Sequence, residues 1–143
     1  MKSEIANSIV TAMKAGEKER LVVLRSLMSE IKNLEINSRK EATESDMIAI
    51  VSRAIKTRTE SAEAYLSAGR EDLYDVEMSE IQILKEFQPT QLTEEELSFL
   101  IDAVILEKSS NELKVIMPAV QQLTKGRADG GLVSKMVKTK LGL

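Results

Sequence analysis

Phe87-Gln88-Pro89-Thr90-Gln91-Leu92-Thr93-Glu94-Glu95-Glu96-Leu97 is the stretch that divides this chain. On its N-terminal side, Leu73, Val76, Ile81, Leu84 and Phe87 form the inward face of a helix. Pro89 ends that pattern, because its ring has no N–H and disfavours a helical residue before it. Thr93 followed three residues later by Glu96 is a capping box: the Thr93 hydroxyl accepts from the N–H of Glu96, and Glu96 reaches back to the N–H of Thr93. One helix therefore stops and another starts within a few residues, with Gln88 to Leu92 as a short hinge. The expected organisation is an N-terminal helical domain over residues 1–88 and a C-terminal domain over residues 89–143.

Four helical patterns precede this boundary. Ile5, Ile9 and Met13 recur four apart from about Ser3 to a stop at Gly16. Leu21, Leu24, Leu27, Met28, Ile31 and Leu34 follow through to about Asn37. That spacing approaches a heptad, but it covers too few repeats for a coiled coil and reads as packing within a bundle. Thr43 and Asp46 resemble an N-cap arrangement for a third helix, whose face carries Ile48, Val51, Ile55, Ala62, Tyr65 and Leu66 as far as Gly69. Its polar middle, Arg53, Lys56 and Arg58 with Thr57 and Thr59, reads as a solvated face with Lys56 and Glu60 paired four apart, or as a surface for a partner. Glu71 and Asp72 lie where the dipole of the fourth helix favours negative charge.

Three patterns follow the boundary. Leu97, Leu100, Ile101, Val104 and Ile105 supply one inward face, and Val115, Ile116, Ala119, Val120 and Leu123 supply the next. Pro118 lies inside that sixth helix if it starts near Asn111, or in its first turn if it starts near Met117. Lys125 falls in its last turn, and Gly126 ends it in a left-handed conformation. Asp129 caps the seventh helix by accepting from the N–H of Gly131 or Leu132. Leu132, Val133, Met136, Val137 and Leu141 form the apolar side of that helix, with Lys135 and Lys138 on the other. The predicted fold is all-α, with an N-terminal four-helix part followed by a C-terminal three-helix bundle.

Composition narrows the chemistry. The chain has no Cys and no His, which removes disulfides, thiolate and imidazole metal ligands, and the usual proton shuttle. Glu94 to Glu96 point in different directions from an exposed first turn, so they do not form an acid–base pair in contrasting environments. No catalytic, cofactor or metal residue is assigned, no small-molecule substrate is evident, and the chain is expected to have no catalytic activity by itself. The apolar runs Leu21 to Leu24 and Met47 to Val51 are far shorter than a membrane span, and the N-terminus mixes Lys2 with Glu4 and has no long apolar h-region. A cytoplasmic location away from membranes is expected. With no Trp and only two Phe and two Tyr, base stacking has little to be built from.

Charge is uneven along the C-terminal part. One Lys and six acids between Gln88 and Glu112 leave a balance of −5, whereas six Lys or Arg and one Asp after it leave +5, in a chain whose net charge is −3. The glycines of Lys125-Gly126-Arg127-Ala128-Asp129-Gly130-Gly131 suggest a phosphate cradle, but a P-loop needs a preceding strand and a following Gly-Lys-Ser/Thr. Asp129 would also repel a phosphate from the helix start it caps. What remains is a basic surface. Lys114, Lys125, Arg127, Lys135, Lys138 and Lys140 are the candidate contacts to RNA phosphates, set against the alternative of ordinary solvated side chains.

Ala68-Gly69-Arg70-Glu71-Asp72-Leu73, the Phe87 to Leu97 stretch, and Lys125-Gly126-Arg127-Ala128-Asp129-Gly130 with Leu132-Val133 together resemble the bacterial YqeY family, as does Lys56-Thr57-Arg58. The resemblance covers nearly the whole chain. It implies four N-terminal and three C-terminal helices, the latter similar to the tail domain of the B subunit of glutamine-dependent aminoacyl-tRNA amidotransferases, a domain associated with tRNA. The family often places glycine near Lys114 and Pro118, and the amidotransferase tail commonly has Asn at the place of Ser134. The kinase-like catalytic part of that subunit has no counterpart here, so the reaction does not transfer with the fold. The function implied is a non-catalytic, tRNA-associated accessory protein. The alternatives are a helical protein-interaction module, using the third helix and the acidic start of the fifth to meet a protein partner, and an accessory to a glutamine-dependent carbon–nitrogen ligase.

Overall fold

A computed structural model describes residues Met1–Leu143. The chain is all-α, with seven helices: α1 (Lys2–Ala15), α2 (Lys18–Ser38), α3 (Glu44–Ser67), α4 (Glu71–Lys85), α5 (Glu94–Lys108), α6 (Leu113–Thr124) and α7 (Gly130–Lys140). It divides into two compact units, Met1–Gln88 with α1 to α4 and Pro89–Leu143 with α5 to α7.

In the first unit, α1 and α2 form a hairpin whose turn is Gly16, at φ 71°. Glycine carries no Cβ to clash there, so it ends α1 at little cost. α3 and α4 form a second hairpin, turned at Gly69 with φ 74°. Ile5, Val23, Leu24, Leu27, Ile31, Met47, Ile50, Val51 and Leu84 join the two hairpins in one apolar cluster. The inward face of α3 differs in part from the one predicted. Met47, Ile50 and Ala54 are buried with Val51 and Ala62, whereas Leu66 is half exposed. On α4, Val76 likewise faces outward while Ile81 and Leu84 are buried.

Polar contacts tie these helices together. The Thr43 and Asp46 cap is a complete capping box, in which Thr43 Oγ1 accepts from the Asp46 N–H at 3.1 Å and Asp46 Oδ2 accepts from the Thr43 N–H at 3.0 Å. Arg58 donates to Glu80 across the α3–α4 hairpin at 2.9 Å, and Arg20 at the start of α2 holds Glu86 beyond α4. The pairing predicted within α3 between Lys56 and Glu60 is not formed; the salt bridge on that stretch runs between helices instead.

Glu35 of α2 accepts from Lys2 Nζ at 2.7 Å and from the Ala42 N–H at 2.9 Å. The lysine first, and the backbone donor second, hold its carboxyl below the ordinary glutamate range. A carboxylate with a lowered folded-state pKa adds stability above its unfolded pKa, and that stability is lost as pH falls through the folded value. Thermal melts of wild type and Glu35→Gln should therefore differ at neutral pH and converge on acidification below the usual glutamate range. A gap independent of pH would contradict this role.

In the second unit, Leu97, Ile101 and Val104 of α5 pack with Ile116 and Val120 of α6 and with Val133 and Val137 of α7. Leu123, predicted to face inward, is half exposed; the buried residue at that end of α6 is Thr124, whose hydroxyl donates to the Val120 carbonyl at 2.9 Å. Helix α6 runs through Pro118, so the proline is interior. Pro118 and Lys114 are both exposed. The Lys114 carbonyl, left without its helical donor, can therefore be hydrated, which lowers the cost of an interior proline. Only half of the capping box at α5 forms: Thr93 Oγ1 accepts from the Glu96 N–H at 3.1 Å, and the Glu96 carboxylate accepts from the Thr93 hydroxyl at 3.3 Å instead of from the backbone N–H.

Candidate nucleic-acid interface

The turn between α6 and α7 is held from three directions. From α6, the Thr124 carbonyl accepts from the Arg127 N–H at 2.8 Å. From α7, Asp129 Oδ2 accepts from the Leu132 N–H at 3.0 Å, the cap expected from the sequence. The third set of contacts was not legible in the pattern of the chain. Gln91 donates from Nε2 to the Gly126 carbonyl at 2.9 Å, and the Leu92 N–H donates to the Arg127 carbonyl at 2.7 Å. Gln91 and Leu92, predicted to belong to a hinge, are thus bound to the glycine turn. Two stretches far apart in sequence meet because each supplies what the other's irregular backbone lacks. The turn has unpaired carbonyls and the segment before α5 has unpaired donors.

Gly126 sits at φ 76°, the left-handed conformation that lets the chain reverse between Thr124 and Arg127 after α6 has ended. Lys125 stands just outside α6, with an extended ψ of 121°, instead of in its last turn as predicted. The dipole of α6 therefore gives Lys125 less stabilisation than a position inside the last turn would.

The six candidate cations fall into two groups. Lys140 is held by Asp102 at 2.9 Å, and Lys114 lies 3.4 Å from Glu112. Lys125, Arg127, Lys135 and Lys138 are exposed, and none has a carboxylate within 4.0 Å. Lys135 and Lys138, three residues apart, share the side of α7 away from buried Val133 and Val137. Asp129 is the one acid between Lys125 and Lys138, and one of its oxygens is committed to the helix cap. No group of three acidic side chains is arranged to hold a metal ion, and no helix is long and apolar enough to cross a membrane.

A family description, Yqey-like protein, matches residues 2–141. The chain belongs to this YqeY-like family. Among its curated relatives are proteins called Altered inheritance of mitochondria protein 41, mitochondrial. The one from Pyrenophora tritici-repentis is 28% identical over 137 residues, covering 92% of this chain and 75% of the relative. That from Lachancea thermotolerans is 32% identical over 123 residues, covering 83% of this chain and 63% of the relative. That from Eremothecium gossypii is 29% identical over 121 residues, covering 82% and 66%. The names of these relatives carry the word mitochondrial and state no reaction or ligand. The match spans both units, so the Gln91 and Leu92 contacts to the glycine turn lie inside the family region.

Proposed function

We propose that this YqeY-like protein is a non-catalytic RNA-binding accessory protein that engages tRNA through the α6–α7 turn and the outer face of α7. The observation that carries this reading is the set of four exposed cations, Lys125, Arg127, Lys135 and Lys138, none within 4.0 Å of a carboxylate, in a segment whose one acid, Asp129, caps a helix. Such cations gain from phosphates because no intramolecular ion pair has to be broken first. Lys114 and Lys140 contribute at the margin, since each has a carboxylate partner to give up. The resemblance of the C-terminal residues to the amidotransferase tail supports tRNA over other nucleic acids. The shortage of aromatic side chains favours backbone and shape recognition over base stacking.

The test is a titration of full-length protein with unmodified tRNA at several salt concentrations. Four phosphate contacts predict an affinity that falls by about a hundredfold between 50 and 200 mM salt. No binding to any tRNA at low salt, or binding insensitive to salt, would overturn the proposal.

A further inference from the structure

Helix α5 is apolar on two sides. Its inner side gives Leu97, Ile101 and Val104 to the core, while Phe99, Ala103 and Leu106 recur at i, i+4 and i+7 on its outer side. Phe99 is 78% exposed and Leu106 is 80% exposed, more than any other large apolar side chain of the protein. A large aromatic and a leucine, one heptad apart on a solvent-facing helix, form the kind of stripe on which another helix packs.

The rim of this stripe is acidic. Glu95 and Glu96 lie four and three residues before Phe99, and Glu107 lies four after Ala103, spacings that set side chains beside one another on a helix. All three are exposed and none has a cation within 4.0 Å. Asp102, also on this side, is neutralised by Lys140. The one cation of α5, Lys108, lies nine residues and about two and a half turns from Phe99, on the opposite side. Two copies of α5 joined by this face would bring Glu95, Glu96 and Glu107 of each toward like charges, and the one cation held at the rim, Lys140, is already paired with Asp102, so a second copy is disfavoured.

We propose that the outer face of α5 docks a basic amphipathic helix of a partner protein. Its apolar side chains cover Phe99, Ala103 and Leu106, and its Lys or Arg side chains meet Glu95, Glu96 and Glu107. These residues are distinct from the basic segment of α6 and α7, and the docking does not depend on RNA binding.

The test uses full-length protein and a labelled synthetic peptide of Leu and Lys, with Leu at i, i+3, i+4 and i+7, followed by fluorescence anisotropy. The peptide should bind saturably. A control with Ser in place of Leu and one with Glu in place of Lys should not. Phe99→Ser combined with Leu106→Ser should weaken binding by about tenfold or more, as expected for truncating an aromatic anchor. Both sites are at the surface, and circular dichroism should show the helix content unchanged. Glu95→Lys with Glu107→Lys, which alters no apolar contact, should abolish binding independently, whereas Glu4→Gln with Glu63→Gln should leave it unchanged. Equal binding of either control peptide, or an unaltered affinity in the Phe99 and Leu106 variant, would overturn the proposal. So would a wild-type dimer in sedimentation that this variant converts to monomer, since that outcome assigns the face to a second copy.

Discussion

Lys125→Glu combined with Arg127→Glu should weaken tRNA binding by about tenfold to a hundredfold at moderate salt and reduce the dependence of log affinity on log salt by about two contacts. Both side chains leave a turn whose carbonyls are fixed by Gln91 and Leu92, so their positions on the surface are set before RNA arrives. Binding then costs less ordering of the chain than it would for cations on a free loop. The reversed charges would also add two acids to the segment that carries Lys135 and Lys138, lowering its attraction for phosphate. Lys2→Glu with Lys14→Glu makes the same change in net charge elsewhere and should have a smaller effect. If the two pairs of substitutions weaken binding equally, overall charge and not this segment attracts the RNA. Filter binding at several salt concentrations distinguishes the outcomes.

The largest effect on stability should come from Ile101→Ala. Ile101 is fully buried between α5 and its two partners, in a cluster completed by Leu97, Val104, Ile116, Val120, Val133 and Val137. Removing a buried aliphatic side chain of this size costs about 2–5 kcal/mol through lost transfer energy and the cavity left behind. Units as small as Pro89–Leu143 bury a limited apolar surface, so this loss is a large part of their stability. Urea unfolding followed by circular dichroism should show a lowered midpoint, and tRNA binding should fall with it, because the cations depend on α7 being formed. Leu106→Ala on the outer side of the same helix should change stability by less than about 0.5 kcal/mol. If the two substitutions had equal cost, the assignment of inner and outer faces of α5 would be wrong.

The contrast between these two positions shows where local pattern stops being informative. Along α5, Leu97, Phe99, Leu100, Ile101, Val104, Ile105 and Leu106 leave little polar face, so periodicity alone does not say which apolar residues remain outside. The inward set was found, but the exposure of Phe99 and Leu106 follows from where α6 and α7 pack. Leu123 failed for a related reason. It sits near the end of α6, where the chain turns away, and Thr124 enters the core because its hydroxyl can bond the Val120 carbonyl one turn back.

Residues that act through their own backbone conformation were the legible ones. Gly16 and Gly69 mark helix ends and Gly126 the turn after α6 because only glycine adopts positive φ freely, and Thr43, Thr93 and Asp129 mark helix starts because their side chains reach N–H groups within three residues. The seven helices, their all-α class and the uneven charge of the C-terminal part are consequences of such local chemistry. Tertiary structure decided which cations are free, since Lys140 finds Asp102 from 38 positions away, and it decided that Gln91 and Leu92 bind the glycine turn. Those contacts depend on packing α5 against α6 and α7, a distance relation that no short window of sequence contains.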